Sequence, residues 1–252
     1  MDVLRFPGRD GASLAYREAG SGRPLILVHG FMGSGSHWLD FGTVGALAER
    51  GYRLILPDLR AHGQSARPHD PAAYPPDVLA DDGLALIDHL GLAPGDYDLG
   101  GYSLGGRIVM RLLARGAAPG RAIVAGQGLA KVAGPQGGGA TRRALVALAD
   151  GLDLPAGSPE SQLARWARQQ QADPVALLGL LDSLVPTQEA DVRLIAVPTL
   201  VLIGDQDERA DADELAALLP AGRFGRVPGD HVGALGSPEL ADAIGAFLAG
   251  DA

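Results

Sequence analysis

The sequence contains no cysteine, and it has no apolar run long enough to cross a membrane. Without thiols, the chain can form neither disulfides nor thiolate metal sites, and a cysteine nucleophile is excluded. The first seven residues, MDVLRFP, lack the apolar core of a secretory signal. We therefore expect a cytoplasmic protein without a membrane partner.

Positive charge is also scarce. Only 21 residues are Lys or Arg, against 30 that are Asp or Glu, which gives a net charge of −9 at pH 7. The basic residues are scattered, whereas a nucleic-acid partner requires a basic patch, so we predict no such partner. The 252 residues, 46% of them hydrophobic, suffice for one large domain or for one domain with an insertion.

What the sequence does contain is a pentapeptide, GYSLG, at residues 101–105. It separates an apolar, strand-like stretch that begins at Tyr97 from a helical stretch at residues 104–115. On so tight a turn the backbone of Ser103 is strained, and the flanking glycines leave room for it. The hydroxyl then stands where a strand ends and a helix begins, which exposes it as a nucleophile. Because the chain has 37 glycines, such a pattern also arises by chance, and its context must support it.

The rest of the chain alternates between short apolar runs and helical patterns. Two runs at residues 3–6 and 13–19 flank a turn and predict an N-terminal hairpin. Buried strands are predicted at residues 24–28 and 53–57, and further strands at residues 122–125, 199–203 and 223–227. Helices are predicted at residues 38–50, 78–90, 104–115 and 211–219 and after a Ser237 cap. This alternation predicts an α/β fold with a doubly wound, mostly parallel sheet of about eight strands.

Residues 130–192 interrupt the alternation. Residues 131–140 are rich in glycine and have no periodicity, which predicts a flexible link. Three helices are predicted after it, at residues 141–150, 158–171 and 173–184. The last two open with the preferred pair of a capping residue and a proline. We therefore divide the chain into an α/β core of residues 1–129 and 193–252 and a helical cap insertion of residues 130–192.

A serine hydroxyl is a weak nucleophile that needs a base, and the base needs a third group to orient it. Only one histidine, His231, follows Ser103, in a loop directly after the last predicted strand. Ligands of such sheets bind at the carboxyl ends of the strands, so this position favours His231 as the base over a surface residue. The loop after the preceding strand offers three carboxylates as the orienting acid: Asp205, Asp207 and Glu208.

Taken in order, these motifs resemble those of the α/β-hydrolase fold superfamily, in its esterase, lactonase, epoxide hydrolase and haloperoxidase-like branch. The resemblance covers nearly the whole chain. It rests on His29-Gly30 after the early strand, on the D-x-R-x-x-G-x-S stretch at residues 58–65, on the pentapeptide, and on the late acid and histidine. The chain departs from the family at Ala61, where a glycine is usual.

The resemblance implies roles for particular residues. It implies a catalytic triad of Ser103, His231 and Asp207, the last being the third residue past the glycine that ends the late strand. It also implies an oxyanion hole formed by the backbone amides of Phe31 and Leu104, with no cofactor and no metal. A serine nucleophile disfavours the members of the family that use aspartate, the epoxide hydrolases and haloalkane dehalogenases.

We predict a serine hydrolase that cleaves carboxylic esters through an acyl-enzyme intermediate. The side chains of Met32, Trp38, Tyr102 and Val232 flank the proposed catalytic groups and are the candidates for the substrate pocket. They are largely apolar, and a cap of this length roofs a pocket of limited depth. The predicted substrate is a small to medium, neutral, mostly apolar ester or lactone, ahead of a peptide, a phosphorylated metabolite or a long-chain triglyceride. The sequence leaves the oligomeric state open.

Three alternatives stand beside this prediction. A perhydrolase or thioesterase would use the same residues, and a binding or receptor-like protein would keep the fold without turnover. A dinucleotide-binding protein is the third, because Gly33-x-Gly35 follows a strand and Asp58 ends the next one. Trp38 speaks against it, since its indole occupies the place of the third glycine, where helix and strand must pack closely.

Overall fold

The computed structural model describes residues 1–135, 137–209 and 211–250. An eight-stranded sheet lies at its centre. The strands are β1 (Leu4–Pro7), β2 (Ser13–Gly20), β3 (Arg23–Val28), β4 (Tyr52–Asp58), β5 (Asp98–Tyr102), β6 (Ala122–Ala125), β7 (Thr199–Gly204) and β8 (Gly222–Val227).

The strand order is β1-β2-β4-β3-β5-β6-β7-β8. β1 pairs antiparallel with β2, and β2 with β4, whereas the strands from β3 to β8 are parallel to their neighbours. The predicted hairpin and the doubly wound, mostly parallel sheet are confirmed. The strand order reverses beside β3, so the carboxyl ends of β3 and β5 border the crevice where such sheets bind ligands.

Both faces of the sheet are buried at its central strands, whereas the edge strands β1 and β8 are largely exposed. In β3, Leu25 and Leu27 belong to one core cluster, and Ile26 and Val28 to the other. Successive side chains of a strand point to opposite faces, so a strand covered on both sides has to be apolar at nearly every position. This explains the continuous apolar runs in the sequence.

Helices cover the two faces. They are α1 (His37–Asp40), α2 (Thr43–Ala48), α3 (Val78–His89), α4 (Leu104–Ala114), α5 (Leu129–Ala133), α6 (Gly139–Ala149), α7 (Pro159–Gln169), α8 (Pro174–Ser183), α9 (Glu189–Val192), α10 (Ala212–Leu218) and α11 (Pro238–Ala249). Buried residues of α2 and α11 join the cluster of Leu25 and Leu27, and those of α3, α4 and α10 join the opposite cluster. Short 3-10 turns lie at Pro71–Ala73 and Gly233–Gly236.

Two segments differ from their prediction. The helix predicted at residues 38–50 is split into α1 and α2, because Gly42 between them adopts a left-handed φ of 78°. The glycine-rich segment at residues 131–140 contains the end of α5 and the start of α6, with Gly134 and Gly138 as flanking caps. Its glycines therefore end and begin helices. Gln136, in the same segment, lies outside the described residues.

Helices α6, α7 and α8 occupy the region predicted as the cap. Ser158 and Asp173 accept hydrogen bonds from backbone amides at the starts of α7 and α8, as their sequence pairs predicted. The same pair before α11 behaves differently, because the Ser237 hydroxyl donates to Glu239 at 2.6 Å and caps no amide. The domain boundaries drawn from the sequence stay a prediction.

A leucine stripe joins α8 to the rest of the molecule. Leu177, Leu180 and Leu181 are buried in the larger core cluster. Gly179, on the same helix, lies against the ring of Tyr74, which a Cβ at this position would approach to 2.7 Å. These leucines therefore seat the helix on the core.

Candidate active site

Ser103 lies between β5 and α4, at the tight turn that the sequence predicted. Its φ is 54° and its ψ is −117°, a combination that costs free energy for any residue with a Cβ. A Cβ at Gly101 would lie 2.4 Å from the carbonyl of Gly105, and a Cβ at Gly105 would lie 2.1 Å from the carbonyl oxygen of Val28. Close packing thus requires both glycines and holds the serine in its strained conformation.

Three side chains from three separate loops meet at the carboxyl edge of the sheet. Nε2 of His231 lies 3.0 Å from Oγ of Ser103, and Nδ1 lies 2.7 Å from Oδ2 of Asp207. A carboxylate only accepts hydrogen bonds, so Nδ1 carries the proton and donates to Asp207. Nε2 is then free to accept the proton of the Ser103 hydroxyl.

Asp207 is the one of the three candidate carboxylates that contacts His231. Its side chain is 0% exposed. Asp205 is exposed, and its Oδ1 accepts a hydrogen bond from the amide of Gly229 at 2.9 Å. Asp205 therefore ties the loop after β7 to the loop that carries His231. Glu208 is exposed.

Arg209 contributes to the charge balance of this site. Its Nη1 donates to Oδ1 of Asp207 at 2.9 Å, and its backbone amide donates to the same oxygen at 3.1 Å. Burial alone would raise the pKa of Asp207, but hydrogen bonds from His231 and Arg209 hold it below its usual value. Burial, assisted by the positive charge of Arg209, lowers the pKa of His231 against the pull of Asp207. The imidazole is therefore neutral at pH 7, as a general base must be.

Tyr102 and Gly126 lie next to His231. The Tyr102 hydroxyl donates to the carbonyl oxygen of His231 at 2.9 Å, and the two ring centroids are 5.5 Å apart. Gly126 has a φ of 64°, and a Cβ there would lie 2.8 Å from the Tyr102 ring and 3.2 Å from Cε1 of His231. Tyr102, a predicted pocket residue, thus fixes the backbone of His231.

The loop after β3 lies against Ser103. A Cβ at Gly30 would lie 3.3 Å from Cβ of Ser103, so a larger residue would crowd the serine. Among the described residues, the backbone amides of Phe31 and Leu104 donate to no protein acceptor. Leu104 is the first residue of α4 and has no acceptor within the helix. Two free amides beside a nucleophile can bind the oxygen of a tetrahedral intermediate.

Two buried histidines hold this loop from behind. Nε2 of His62 accepts from the Met32 amide at 3.0 Å, and Nε2 of His29 accepts from the Leu59 amide at 3.0 Å. Burial lowers the pKa of both rings, that of His62 to about 3, so both are neutral acceptors at pH 7. His62 thereby fixes the residue after Phe31. The sequence places His62 in the D-x-R-x-x-G-x-S stretch and so marks it only as part of a structural motif. Its contact with the Met32 amide is visible only in the structure.

The other pocket candidates lie in different environments. Met32 is buried and has a φ of 58°. Trp38 is buried in the core cluster that packs under α2. Val232 is 67% exposed, in the loop that carries His231. Their role as pocket lining stays a prediction.

The residues of the D-x-R-x-x-G-x-S stretch have a structural role. Oδ1 and Oδ2 of Asp58 accept from the amides of Gly35 and Gln64, each at 2.8 Å, and the Asp58 side chain is 0% exposed. Its oxygens are therefore not free for a ribose, which removes the main support for dinucleotide binding. Ala61 has a left-handed φ of 67°, which explains why a glycine is usual there.

Two further properties concern ligands and membranes. In residues 1–135, 137–209 and 211–250, no three His, Asp or Glu side chains are grouped so that they could hold a metal ion. No helix within those ranges combines the length and the apolar character needed to cross a membrane.

Comparisons with known proteins agree with the fold. A family model described as alpha/beta hydrolase fold matches residues 23–125, from β3 to the end of β6. The structure is similar to esterase RhEst1 from Rhodococcus sp. ECU1013, with a TM-score of 0.73, 26% identity and 99% of both chains covered. It is also similar to a hydrolase from Pseudomonas aeruginosa, with a TM-score of 0.78, 23% identity and 98% of both chains covered. This chain therefore has the α/β-hydrolase fold.

In sequence, the chain is similar to a non-heme haloperoxidase from Rhodococcus erythropolis, with 39% identity over 109 residues. That stretch makes up 42% of this chain and 36% of the relative. The chain thus spans about a third of the length of this curated relative.

Proposed function

We propose that this chain is a serine hydrolase that cleaves carboxylic esters through an acyl-enzyme intermediate. The observation that carries the proposal is the hydrogen-bonded series of Ser103, His231 and Asp207 beside the free amides of Phe31 and Leu104. The similarity to an esterase over nearly the whole chain supports it.

Each residue has one task in this mechanism. His231 takes the proton of Ser103 as Oγ attacks the ester carbonyl, and the two amides bind the oxygen that becomes negative. His231 then gives its proton to the departing alcohol, which leaves the acyl group on Ser103. A water molecule, deprotonated by His231, attacks this acyl group, and the products are a carboxylic acid and free Ser103. Asp207 keeps the imidazole oriented and stabilises its charged form.

The substrate we propose is a small to medium, mostly apolar ester or lactone, in the cytoplasm. Its support is the apolar character of the residues that flank the serine. Each methylene that enters an apolar pocket gains about 0.8 kcal/mol until the pocket is full. Across a series of p-nitrophenyl esters, kcat/KM should therefore climb and then fall with acyl length. A flat profile, or a preference for acyl chains above about twelve carbons, contradicts the proposed pocket.

The nucleophile is tested by labelling. A phosphonate directed at serine hydrolases should add its mass to the peptide that contains Ser103 and abolish turnover. Ser103→Ala should remove both the label and the activity while the protein stays folded. A label on another serine refutes the assignment, and an unlabelled, inactive wild type points to the binding-protein alternative.

The orienting acid is tested with a matched pair of variants. Asp207→Asn should lower kcat by about 10⁴-fold, because the imidazole loses its orienting acceptor. Asp205→Asn removes an exposed carboxylate of the same loop that does not contact His231 and should cost little. If Asp205→Asn is the crippling change, Asp207 is not the acid.

A second candidate activity uses the same acyl-enzyme. The similarity to a non-heme haloperoxidase favours attack by hydrogen peroxide in place of water, which would release a peracid. Peracid formation from acetate and hydrogen peroxide, absent in Ser103→Ala, would establish it. Equal rates in that variant would exclude it.

A further inference from the structure

Arg107 lies in α4, one helical turn beyond Ser103. Its amide donates to the carbonyl oxygen of Ser103 at 3.2 Å. Residues four positions apart share one face of a helix, and side chains lean toward the helix N-terminus. Arg107 therefore lies one turn from the end of α4 that carries the proposed nucleophile.

Arg107 is half-buried, yet it has no partner in the part of the chain that the structure describes. Its guanidinium takes part in none of the hydrogen bonds or ion pairs there. The next two arginines along α4 differ, because Arg111 and Arg115 both bind the carboxylate of Asp77. The helix therefore pairs two of its arginines, and the third, which is nearest to Ser103 in sequence, has no partner among the described residues.

The surroundings of Arg107 add positive charge. Burial, together with the nearby charge of Arg209, lowers the pKa of Arg107 to about 10, so it is still charged at neutral pH. The carboxylate of the proposed triad, Asp207, is already bound by His231 and Arg209. An uncompensated, partly desolvated guanidinium destabilises the fold, and a perturbed charge of this kind is typical of a functional site.

Arg107 also lines a small cleft. Leu79 and Ile108 form its wall on the core side, and Leu184 and Val185, after α8, form the opposite wall. The cleft also touches Asp77, Arg111 and Ser183, whose polar groups are already engaged in hydrogen bonds. Apolar side chains thus lie beside one guanidinium that has no partner among the described residues, a combination that suits a ligand with an apolar part and an anionic group.

Gln127 supplies a second unfilled polar group. Its side chain follows β6 and is 3% exposed, and its Oε1 accepts no hydrogen bond within the described residues. Its Cγ lies close to Gly106, which directly precedes Arg107, so that a Cβ at Gly106 would lie 3.2 Å from it. The unpaired Oε1 can only accept a hydrogen bond, so Gln127 offers a partner for a donor group of a bound molecule and does not itself hold an anion.

We propose that Arg107 binds a carboxylate of the substrate, so that the ester or lactone cleaved at Ser103 carries one anionic group beside its apolar part. The inference rests on the proposed esterase function. It replaces the neutral ester predicted from the sequence with an ester that carries an anionic group. A guanidinium can hold a carboxylate through two parallel hydrogen bonds, which fixes its position as well as its charge. Arg107 would thereby select among substrates without touching the ester bond.

The test compares two esters that differ by a carboxylate, p-nitrophenyl butyrate and the mono-p-nitrophenyl ester of glutaric acid. Arg107→Met should lower kcat/KM for the anionic ester by about 10- to 100-fold, the usual loss for a hydrogen-bonded charge pair. It should change kcat/KM for the neutral ester by about twofold or less. Arg107→Lys should recover part of the loss, because it restores the charge but not the planar fork. Arg193→Met, which removes a 59% exposed arginine, is the matched control and should change neither rate.

Three outcomes are decisive. A selective loss on the anionic ester, reversed in part by lysine, supports the inference. An equal effect on both esters overturns it and leaves the esterase proposal intact.

If the wild type cleaves neither ester, the esterase proposal fails, and calorimetry with monomethyl glutarate decides the inference separately. Ser103→Ala should then bind this probe about tenfold more tightly than Ser103→Ala with Arg107→Met, and equal affinities refute the carboxylate site. Arg107→Gln replaces Arg107→Met if thermal melting shows that the methionine variant is unfolded.

Discussion

Arg60 and Arg107 are two arginines withdrawn from solvent, and they differ in what surrounds them. The guanidinium of Arg60 is 0% exposed and makes five hydrogen bonds: two to Asp82, two to Asp10 and one to the carbonyl oxygen of Ala73. A guanidinium has five N–H donors, so all of them are used. Arg107 uses none within the described residues.

The comparison shows what separates a structural charge from a charge that is free for a ligand. Burial alone would lower the pKa of Arg60, but Asp10 and Asp82 raise it instead. Burial and a neighbouring arginine both lower the pKa of Arg107. Arg60 therefore fixes the loop after β4, while Arg107 stays available beside the proposed nucleophile. The residue type is the same, and only the placement of carboxylates decides the role.

The largest effect on stability should come from breaking the satisfied cluster. Arg60→Met leaves the nearly buried carboxylate of Asp82 without its cation, which should lower the free energy of unfolding by about 3–5 kcal/mol. Arg107→Met removes an unpaired charge and should leave the stability unchanged or higher. Chemical denaturation of the two variants measures the difference. Equal losses would mean that Arg107 has a structural partner.

Substitution of His62 should have the next largest effect, and it should change the catalytic rate. Like Arg60, it is buried and hydrogen-bonded, but its partner is the amide of Met32 beside the proposed oxyanion amide. His62→Leu should lower kcat by about 100-fold and change KM little, because a misplaced donor weakens binding of the transition state. His69→Leu, at an exposed histidine, is the control. A rise in KM with unchanged kcat would contradict the positioning role.

Arg209 allows a test through pH. The reaction needs neutral His231, so kcat/KM should rise with pH through a pKa that lies below the ordinary imidazole value of 6.5. Arg209→Gln removes a positive charge that lowers this pKa, so the pKa should increase and the rise should move to higher pH. Arg226→Gln, at an exposed arginine, should leave the profile in place. A shift to lower pH would contradict the assigned electrostatics.

The smallest effect concerns two serines with the same local sequence. Ser158 caps α7 by accepting from the amide of Ser161 at 3.1 Å, so Ser158→Ala should cost about 1 kcal/mol of stability. Ser237→Ala should cost close to nothing, since Ser237 caps no amide of α11. Thermal melting of both variants checks this. If the two variants lose similar amounts of stability, the capping hydrogen bond of Ser158 does not explain the stability of the α7 N-terminus.

Much of the fold was predictable because it follows from local patterns. Continuous apolar runs mark strands that are covered on both faces, and GYSLG marks a turn on which only glycines fit around Ser103. The break in the helix at residues 38–50 was missed, because a single glycine within a helical pattern gives no sign that it will turn left-handed. The helix ends within residues 131–140 were missed for a related reason, since glycine serves links and caps alike.

The site was predictable where the order of the motifs along the chain was sufficient. Ser103 and His231 could be proposed from their places after strands, whereas the residues alone left Asp205, Asp207 and Glu208 open. Which of the three contacts His231 depends on how the loops after β7 and β8 meet. The same limit explains why Arg107 was missed. From the sequence, an arginine in a helix is expected to be a surface residue, and only the structure shows that it has no ion-pair partner.

The central claim of this account is that Ser103 forms a covalent acyl intermediate. Rapid quenching of the enzyme with p-nitrophenyl butyrate, followed by peptide mass spectrometry, tests it most directly. The account predicts a transient butyryl group on the peptide that contains Ser103, formed with the first burst of nitrophenol and absent in Ser103→Ala. Steady hydrolysis with no acylated peptide, or with the butyryl group on another residue, would contradict it.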